Sequence, residues 1–289
     1  MNDYETNNRA LSAKALLAAF DLKPKKAKGQ NFLADPATAR ACVERADLSP
    51  DDSVLEIGPG LGALTIPMSR KAKQVIAVEW DSNLAKVLEN QIESLGLSNI
   101  TILNQDILKT DIRRIAGQAG GNMVVAANLP YNISSQVLIR LIQNRDLFKK
   151  AALMFQTELA RRIMAEPGGK DYGRITVLAQ YSSRIRVLYS LGPAHFYPKP
   201  QVDSQVLEFF FKEPDPAVNE DILFAVVKAA FAKRRKTLKN ALSNSELPFS
   251  GDQAQAALDE AGIAPQRRAE TLSVDEFVAL AKAAGKQIQ

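Results

Sequence analysis

A glycine-rich loop, Gly58-Pro59-Gly60-Leu61-Gly62, directly follows the short apolar run 53–57. Glycines at such a turn let the main chain bend sharply and let a ligand approach without a Cβ in the way. The spacing differs from the Gly-x-Gly-x-x-Gly of pyrophosphate-binding loops, and Pro59 removes one N–H donor. The loop therefore disfavours a dinucleotide; the alternative is a tight turn that binds no ligand.

Acidic side chains follow the next two apolar runs. Glu79 comes directly after the run 74–78, and Asp106 comes shortly after the run 99–103. A carboxylate at the position of Glu79 can accept hydrogen bonds from both hydroxyls of a ribose, and Asp106 can accept one from an adenine amino group. Because ligands of open parallel sheets lie over the carboxyl ends of the strands, both residues would face the glycine loop. This set indicates adenosine without pyrophosphate, as in S-adenosylmethionine.

The segment Asn128-Leu129-Pro130-Tyr131 follows the apolar run 122–127. The amino nitrogen of adenine is a poor nucleophile, because its lone pair is delocalised into the ring. We expect the side-chain oxygen of Asn128 and the main-chain carbonyl of Leu129 to hold its N–H groups. Pro130 would stiffen the turn, and Tyr131 would offer a surface on which a base stacks. The rate would come from positioning and desolvation without a strong base; the alternative is an ordinary turn with a packed tyrosine.

An adenine flipped out of a nucleic acid needs a second wall. Phe196, in the aromatic and proline-bounded segment 195–200, is the predicted wall. The alternative is that Phe196 packs into the core. His195 is the only histidine of the chain, and we assign it no catalytic role.

Alternating strand and helix patterns predict the scaffold of this site. Five apolar runs, most of them separated by helical patterns, predict an α/β fold with a parallel, doubly wound sheet. Two later runs, 185–191 and 205–211, predict a hairpin-like pair at the end of the sheet. After the prolines at 214 and 216 only helical patterns follow, at 219–242, 252–261 and 273–284. We therefore expect two domains, 1–212 and a small helical domain at 213–289.

The composition suits a protein that binds a polyanion. The chain of 289 residues has a net charge of +5, and basic residues cluster at 23–28 and 233–236. Lys233, Arg234, Arg235 and Lys236 are the predicted RNA-binding residues; the alternative is a solvated face. One cysteine cannot form an internal disulfide or a zinc cluster, and no stretch is long and apolar enough for a signal peptide or a membrane span. A cytoplasmic, monomeric protein without a metal is expected.

Taken together, these motifs resemble those of the ribosomal RNA adenine dimethyltransferase family, and most closely those of its bacterial small-subunit members. The resemblance runs through nearly the whole chain, from Lys26–Leu33 to the segment 234–240. It implies a Rossmann-like catalytic domain with a small helical domain. It implies S-adenosylmethionine contacts at Asn31, Leu33, Gly58, Gly60, Glu79, Asp106 and Asn128. It also implies that Asn128, Leu129, Pro130 and Tyr131 hold the target base together with Phe196.

The same resemblance implies a substrate. It points to dimethylation of two adjacent adenines near the 3′ end of 16S ribosomal RNA, four transfers in all, on the precursor of the small ribosomal subunit. Three alternatives remain at this point: a large-subunit adenine methyltransferase of the antibiotic-resistance type, an assembly factor whose catalysis is secondary, and a nicotinamide dehydrogenase. The position of Pro59 argues against the last of these.

Overall fold

The computed structural model describes residues 12–25, 29–233, 235–245, 247 and 250–288. The chain divides into two compact units. The first takes the described residues up to Arg140 together with Leu147–Thr157 and Arg186–Phe210. The second takes Leu141–Asp146, Glu158–Ile185 and the described residues from Phe211 onward. The assignment of 1–212 and 213–289 as separate domains stays a prediction.

A seven-stranded sheet with the order β4-β3-β2-β5-β6-β9-β7 organises the fold, and β1 and β8 form a separate two-stranded sheet. The five neighbouring strands β4, β3, β2, β5 and β6 are parallel to one another, and β9 is antiparallel to β6. The predicted α/β class and the parallel sheet are thus confirmed, and the two late strands are neighbours at the sheet end. The strands are β1 Phe32–Leu33, β2 Ser53–Ile57, β3 Gln74–Val78, β4 Ile100–Leu103, β5 Met123–Asn128, β6 Phe148–Gln156, β7 Ser183–Leu191, β8 Phe196–Tyr197 and β9 Ser204–Phe211.

Helices alternate with these strands and then complete the chain. They are α1 Ala13–Ala19, α2 Pro36–Arg45, α3 Thr65–Ser69, α4 Ser82–Ser94, α5 Ile112–Ala119, α6 Ser134–Gln143, α7 Thr157–Ile163, α8 Arg174–Ser182, α9 Glu220–Phe231, α10 Leu238–Ser243, α11 Gly251–Glu260 and α12 Val274–Ile288. Asp35 caps α2, accepting hydrogen bonds from the main-chain N–H of Ala37 and Thr38 at 2.9 Å each. In the described part of the chain, every helix is too short or too polar to cross a membrane.

The centre of the sheet is buried on both of its faces, since successive side chains of a strand point to opposite faces and both kinds are buried. All five residues of β2 are buried, and so are Val75 to Val78 of β3. Strands buried on both faces read as continuous apolar runs rather than as alternating ones, which is why the sequence signal is strong here. Since β2, β3, β4 and β5 are adjacent and parallel, their carboxyl ends meet at one edge of the sheet.

The second unit has its own aromatic core. The ring of Phe231 on α9 lies 6.1 Å from that of Tyr172 and 5.7 Å from that of Phe277 on α12, measured between centroids. Tyr172 and Phe277 are almost fully buried. This unit therefore holds its helices by packing of large apolar side chains.

The single helix predicted over 219–242 is wrong in its middle. Helix α9 ends at Phe231 and α10 begins at Leu238. The main-chain N–H of Leu238 donates to the carbonyl of Arg267 at 2.8 Å, and that of Lys239 donates to Pro265 at 3.3 Å. If one helix continued, these two amides would donate to carbonyls four residues earlier in that helix. Their hydrogen bonds to the 265–267 loop replace those helical bonds. Lys233, Arg235 and Lys236 consequently lie in a connection between two helices.

Candidate functional site

A cavity of about 280 Å³ opens at the carboxyl ends of β2, β3, β4 and β5. It lies within the first unit. Ten of the residues singled out by the sequence line it together: Asn31, Leu33, Gly58, Gly60, Glu79, Asp106, Asn128, Leu129, Pro130 and Tyr131. Residues that lie up to about a hundred positions apart in the sequence thus meet at one site, as the parallel topology requires.

The glycine loop forms one wall of the cavity at very close range. Gly58 and Gly60 adopt left-handed backbone angles, with φ of +68° and +56°. A Cβ on Gly60 would lie 3.0 Å from the ring of Phe32, and one on Gly58 would lie 3.3 Å from Cδ of Pro130. The backbone conformation disfavours other residues at both positions, and an added Cβ would be in tight contact with these neighbours. The glycines therefore let the main chain of the loop approach Phe32 and Pro130 closely, and both of these residues also line the cavity.

Glu79 is held rigidly at the end of β3. Its Oε2 accepts a hydrogen bond from the N–H of Gly60 at 3.0 Å, and its Oε1 accepts one from the N–H of Asp81 at 2.8 Å. The side chain is 7% exposed, and burial raises its pKa, which these two hydrogen bonds oppose. Each carboxylate oxygen keeps a further lone pair. Glu79 can therefore tie the glycine loop to β3 and still accept two hydroxyl hydrogens from a ligand.

Asp106 lies beyond the end of β4 and lines the same cavity. Its Oδ1 accepts a hydrogen bond from the N–H of Leu108 at 2.9 Å, which fixes the orientation of the carboxylate. Ile107 and Leu108 also line the cavity. A fixed acceptor beside apolar side chains suits the edge and the faces of a purine ring.

Asn128 connects the end of β5 to the strand β1. Its Nδ2 donates a hydrogen bond to the main-chain carbonyl of Asn31 at 2.9 Å. A carbonyl oxygen can only accept, so the nitrogen of the amide must face Asn31 and the oxygen must face elsewhere. The orientation of the amide is thus set by chemistry. Leu129, whose carbonyl is the second predicted acceptor, follows directly and is 1% exposed.

Tyr131 is fixed at its far end. Its hydroxyl lies 2.9 Å from Oγ of Ser204, the first residue of β9, and burial raises the pKa of this phenol. A ring anchored at its hydroxyl cannot turn freely, so it offers a preformed flat surface. Tyr131 lines the cavity, as the sequence predicts for a stacking surface.

Phe196 is the one predicted base-contacting residue that does not line the cavity. It is 3% exposed and packs in a cluster with Leu33, Val43 and Met154. The reason is the pairing of β8 with β1, in which Phe196 lies opposite Leu33. The structure therefore agrees with the alternative noted for Phe196, a side chain that fills the core, and its role as a second wall stays a prediction.

The predicted RNA-binding residues lie between α9 and α10. Lys233, Arg235 and Lys236 are exposed, and Arg234 lies outside the described residues. In the other basic cluster, Lys26 and Lys28 also lie outside them, while Nζ of Lys25 forms an ion pair with Asp81 at 3.0 Å. RNA binding by residues 233–236 stays a prediction.

Among the other residues that line the cavity are Glu56 and Trp80, to which the sequence reasoning assigned no role. Glu56, within β2, is 2% exposed, and its Oε2 has no hydrogen-bond partner among the described residues. Burial raises the pKa of Glu56 to about 8. The hydroxyl of Thr65 opposes this rise, and the nearby carboxylate of Glu79 adds to it. The signal was available, because Glu56 is the one charged residue in an otherwise buried strand. Trp80, the only tryptophan, is 62% exposed and also lines the cavity.

Known proteins of similar sequence identify the family of the chain. The sequence model of the ribosomal RNA adenine dimethylase family matches residues 22–286. A ribosomal RNA small subunit methyltransferase A from Desulforapulum autotrophicum is 48% identical, over 93% of this chain and 94% of its own. The protein of that name from Geobacter metallireducens is 43% identical, over 91% of this chain and 96% of its own.

Solved structures agree as well. A dimethyladenosine transferase from Plasmodium falciparum matches with a TM-score of 0.74 and 26% identity, over 89% of this chain and 98% of its own. The 23S rRNA methyltransferase ErmE matches with a TM-score of 0.61 and 25% identity, over 88% of this chain and 99% of its own. The resemblance drawn from the motifs is thereby confirmed. The chain belongs to the ribosomal RNA adenine dimethylase family.

Proposed function

We propose that the chain transfers methyl groups from S-adenosylmethionine to the amino nitrogens of two adjacent adenosines near the 3′ end of 16S ribosomal RNA, during assembly of the small subunit. The observation that carries the proposal is the fixed amide of Asn128 at the rim of a cavity that also holds Glu79 and Asp106. A monomeric, metal-free, cytoplasmic enzyme is the form that this proposal assumes.

The residues of the cavity fit the methyl donor. The remaining lone pairs of Glu79 suit the two ribose hydroxyls, and Oδ2 of Asp106 suits the adenine amino group. Ile107, Leu108 and Trp80 would contact the faces of the adenine ring. When bound, S-adenosylmethionine supplies a methyl group on a positively charged sulfur.

Glu56 adds a charge argument for the same donor. A buried carboxyl oxygen without a partner costs free energy unless a ligand satisfies it. S-adenosylmethionine carries an ammonium group and a sulfonium, both cationic, and either stabilises an ionised carboxylate nearby. We assign Glu56 to the ammonium of the donor, because that group can also donate hydrogen bonds to Oε2.

The target adenine is assigned to the Asn128–Tyr131 segment. The Oδ1 of Asn128 and the carbonyl of Leu129 accept hydrogen bonds from the hydrogens that the adenine nitrogen carries, two in the first transfer and one in the second, which draws this nitrogen out of conjugation. Tyr131 stacks on the ring and excludes water from one face. Each transfer releases one proton from the nitrogen, and no residue of the segment is required as a strong base.

The choice of the small subunit rests on the relatives. The two bacterial relatives named above are called small-subunit methyltransferases, and they are more similar in sequence than the 23S rRNA methyltransferase ErmE, at 48% and 43% against 25% identity. The test is to incubate the protein and labelled S-adenosylmethionine with unmethylated small subunits and, separately, with large subunits, and to map the modified nucleotides. We expect dimethylated adenosines in 16S RNA alone; methylation of 23S RNA alone would refute the proposal.

A further inference from the structure

We propose that His195 and Thr38 are positioning residues, which lock β8 onto β1 and thereby orient the amide of Asn128 for methyl transfer. The inference rests on the proposed function, because it takes Asn128 as the residue that holds the target adenine. It assigns a task to the only histidine of the chain.

Hydrogen bonds through Asp35, Thr38 and His195 join the start of α2 to the residue that precedes β8. The Thr38 hydroxyl lies 2.6 Å from Oδ2 of Asp35 and 3.0 Å from Nδ1 of His195. The hydroxyl of Thr38 and two main-chain N–H groups lower the pKa of Asp35, so its carboxylate is ionised at neutral pH and can only accept. The single hydrogen of the Thr38 hydroxyl therefore goes to Asp35. His195 must then carry a hydrogen on Nδ1 and donate it to Thr38.

This chain ties His195 to the residues that follow β1. The main-chain carbonyl of His195 accepts a hydrogen bond from the N–H of Ala34 at 2.8 Å. Ala34 directly follows β1, and Asp35 and Thr38 belong to the cap and first turn of α2. His195 thus holds this region through its main chain and its side chain at once.

The position of β1 in turn sets the position of Asn31, the residue that precedes it. In the two-stranded sheet, Phe32 lies opposite Tyr197 and Leu33 lies opposite Phe196. The carbonyl of Asn31 is the acceptor that fixes the Asn128 amide at 2.9 Å. A displacement of β1 relative to β5 would therefore free that amide to rotate.

Loss of the polar lock would leave the apolar pairing in place. Leu33 and Phe196 are 4% and 3% exposed in one cluster, and this packing does not need the hydroxyl of Thr38. The donor contacts assigned to Glu79 and Asp106 lie beyond the ends of β3 and β4, whereas those expected of Asn31 and Leu33 lie beside and on β1. Removing the lock should thus leave the fold nearly unchanged and slow methyl transfer by a larger factor than it weakens donor binding.

Spectroscopy of the histidine ring tests the lock directly. Because there is one histidine, the ¹⁵N resonances of its ring are assigned without ambiguity. At a pH where the ring is neutral, we expect the hydrogen on Nδ1 in the native protein and in Thr38→Ser. In Thr38→Val, which keeps the shape but lacks the hydroxyl, we expect that preference to be lost. A hydrogen on Nε2 in the native protein would overturn the inference.

Kinetics tests the consequence. Single-turnover methylation of unmethylated small subunits should be slower on the order of tenfold in Thr38→Val and in His195→Ala, as small misplacements of reacting groups typically cause. The dissociation constant of S-adenosylhomocysteine should rise by a clearly smaller factor than the rate falls, because the contacts of Glu79 and Asp106 with the donor remain. Thr38→Ser and His195→Asn should restore the rate, because Nδ2 of asparagine can replace Nδ1 of histidine as a donor.

Three kinetic outcomes would also overturn the inference. The first is a native rate in Thr38→Val and His195→Ala, and the second is an equal loss of rate and of donor affinity. The third is failure of both conservative variants to restore the rate. Asn128→Ala measured beside them separates the two levels of the account. If Asn128→Ala is inactive while Thr38→Val is native, the lock is refuted and the proposed function stands. If Asn128→Ala retains the native rate, the proposed role of Asn128 is refuted.

Discussion

The side-chain amide of Asn128 donates from Nδ2 to the main-chain carbonyl of Asn31, 2.9 Å away. This hydrogen bond joins the end of β5 to the segment that precedes β1, across 97 residues of sequence. It fixes which end of the amide is left to accept from a substrate. The central residue of the proposed chemistry is therefore oriented before any ligand binds, which reduces the cost of ordering it in the complex.

Replacing Asn128 by alanine should abolish most of the activity. The variant lacks the acceptor for the adenine amino group, so we expect single-turnover methylation to fall by about a hundredfold or more. RNA binding, measured by filter retention with small subunits, should stay within about twofold of native. Gln136→Ala, which removes an exposed amide on α6, is the matched control and should behave as native.

Loss of RNA binding in Asn128→Ala would count against separate surfaces for binding and catalysis. A variant that loses methylation but still supports subunit assembly would favour an additional role as an assembly factor. Asn128→Asp should be as inactive as the alanine variant, because a carboxylate cannot donate to the carbonyl of Asn31.

Glu79→Gln should weaken donor binding despite its similar shape. Both carboxylate oxygens accept hydrogen bonds from main-chain N–H groups, so the NH₂ of glutamine must face the N–H of Gly60 or of Asp81. An unsatisfied buried donor costs about 1–3 kcal/mol. We expect the dissociation constant of S-adenosylhomocysteine, followed by fluorescence of Trp80, to rise by about tenfold or more. Glu89→Gln on the exposed face of α4 is the control, and an equal effect there would contradict the assignment.

Glu56 should make stability and donor binding depend on pH. Burial raises its pKa to about 8 from an ordinary value of 4.5. Between these values the folded protein holds a proton that the unfolded chain has released, so Glu56 makes the free energy of unfolding fall as the pH rises. Glu56→Gln should remove this contribution, which thermal unfolding at a series of pH values measures.

Donor binding should show the opposite trend. A cationic ligand favours ionised Glu56, so binding at pH below about 8 must release its proton. The affinity of S-adenosylhomocysteine should therefore rise from pH about 6 to about 8, by at most about tenfold per pH unit. Glu56→Gln should flatten this dependence. A native affinity that is constant over this range would refute the assignment of Glu56 to the donor.

Neutralising the exposed basic residues in the connection between α9 and α10 should weaken RNA binding and reduce its dependence on salt. The test variant combines Lys233→Gln, Arg235→Gln and Lys236→Gln. For each lost phosphate contact, the negative slope of log affinity against log salt should become less steep by about 0.7 to 0.9. The control changes the exposed Arg70, Lys71 and Lys73 to glutamine, which alters the net charge equally. An unchanged slope in the first variant would mean that the connection does not touch RNA.

The sequence predicts the sheet and the cavity lining well because both depend on local patterns. Buried parallel strands give continuous apolar runs, and the residues after them must meet at one edge. The bounds predicted for β2 and β3 match the structure. Glu79, Asp106 and Asn128 were found for this reason alone.

The features missed by the sequence reasoning depend on contacts between distant segments or on short elements. The pairing of β1 with β8 involves two residues on each side, and no local pattern announces it. This pairing also buries Phe196, whose role as a second wall of the cavity stays a prediction. The break between α9 and α10 arises from the 265–267 loop. The short helix α5 was missed, although Asp111 caps it.

The most direct test of the account is a crystal structure with S-adenosylmethionine bound. We predict that the ribose hydroxyls contact Glu79, that the ammonium contacts Glu56, and that the methyl group points toward the side chain of Asn128. A donor whose methyl group points away from Asn128, into bulk solvent, would contradict the proposed transfer to an adenine held there.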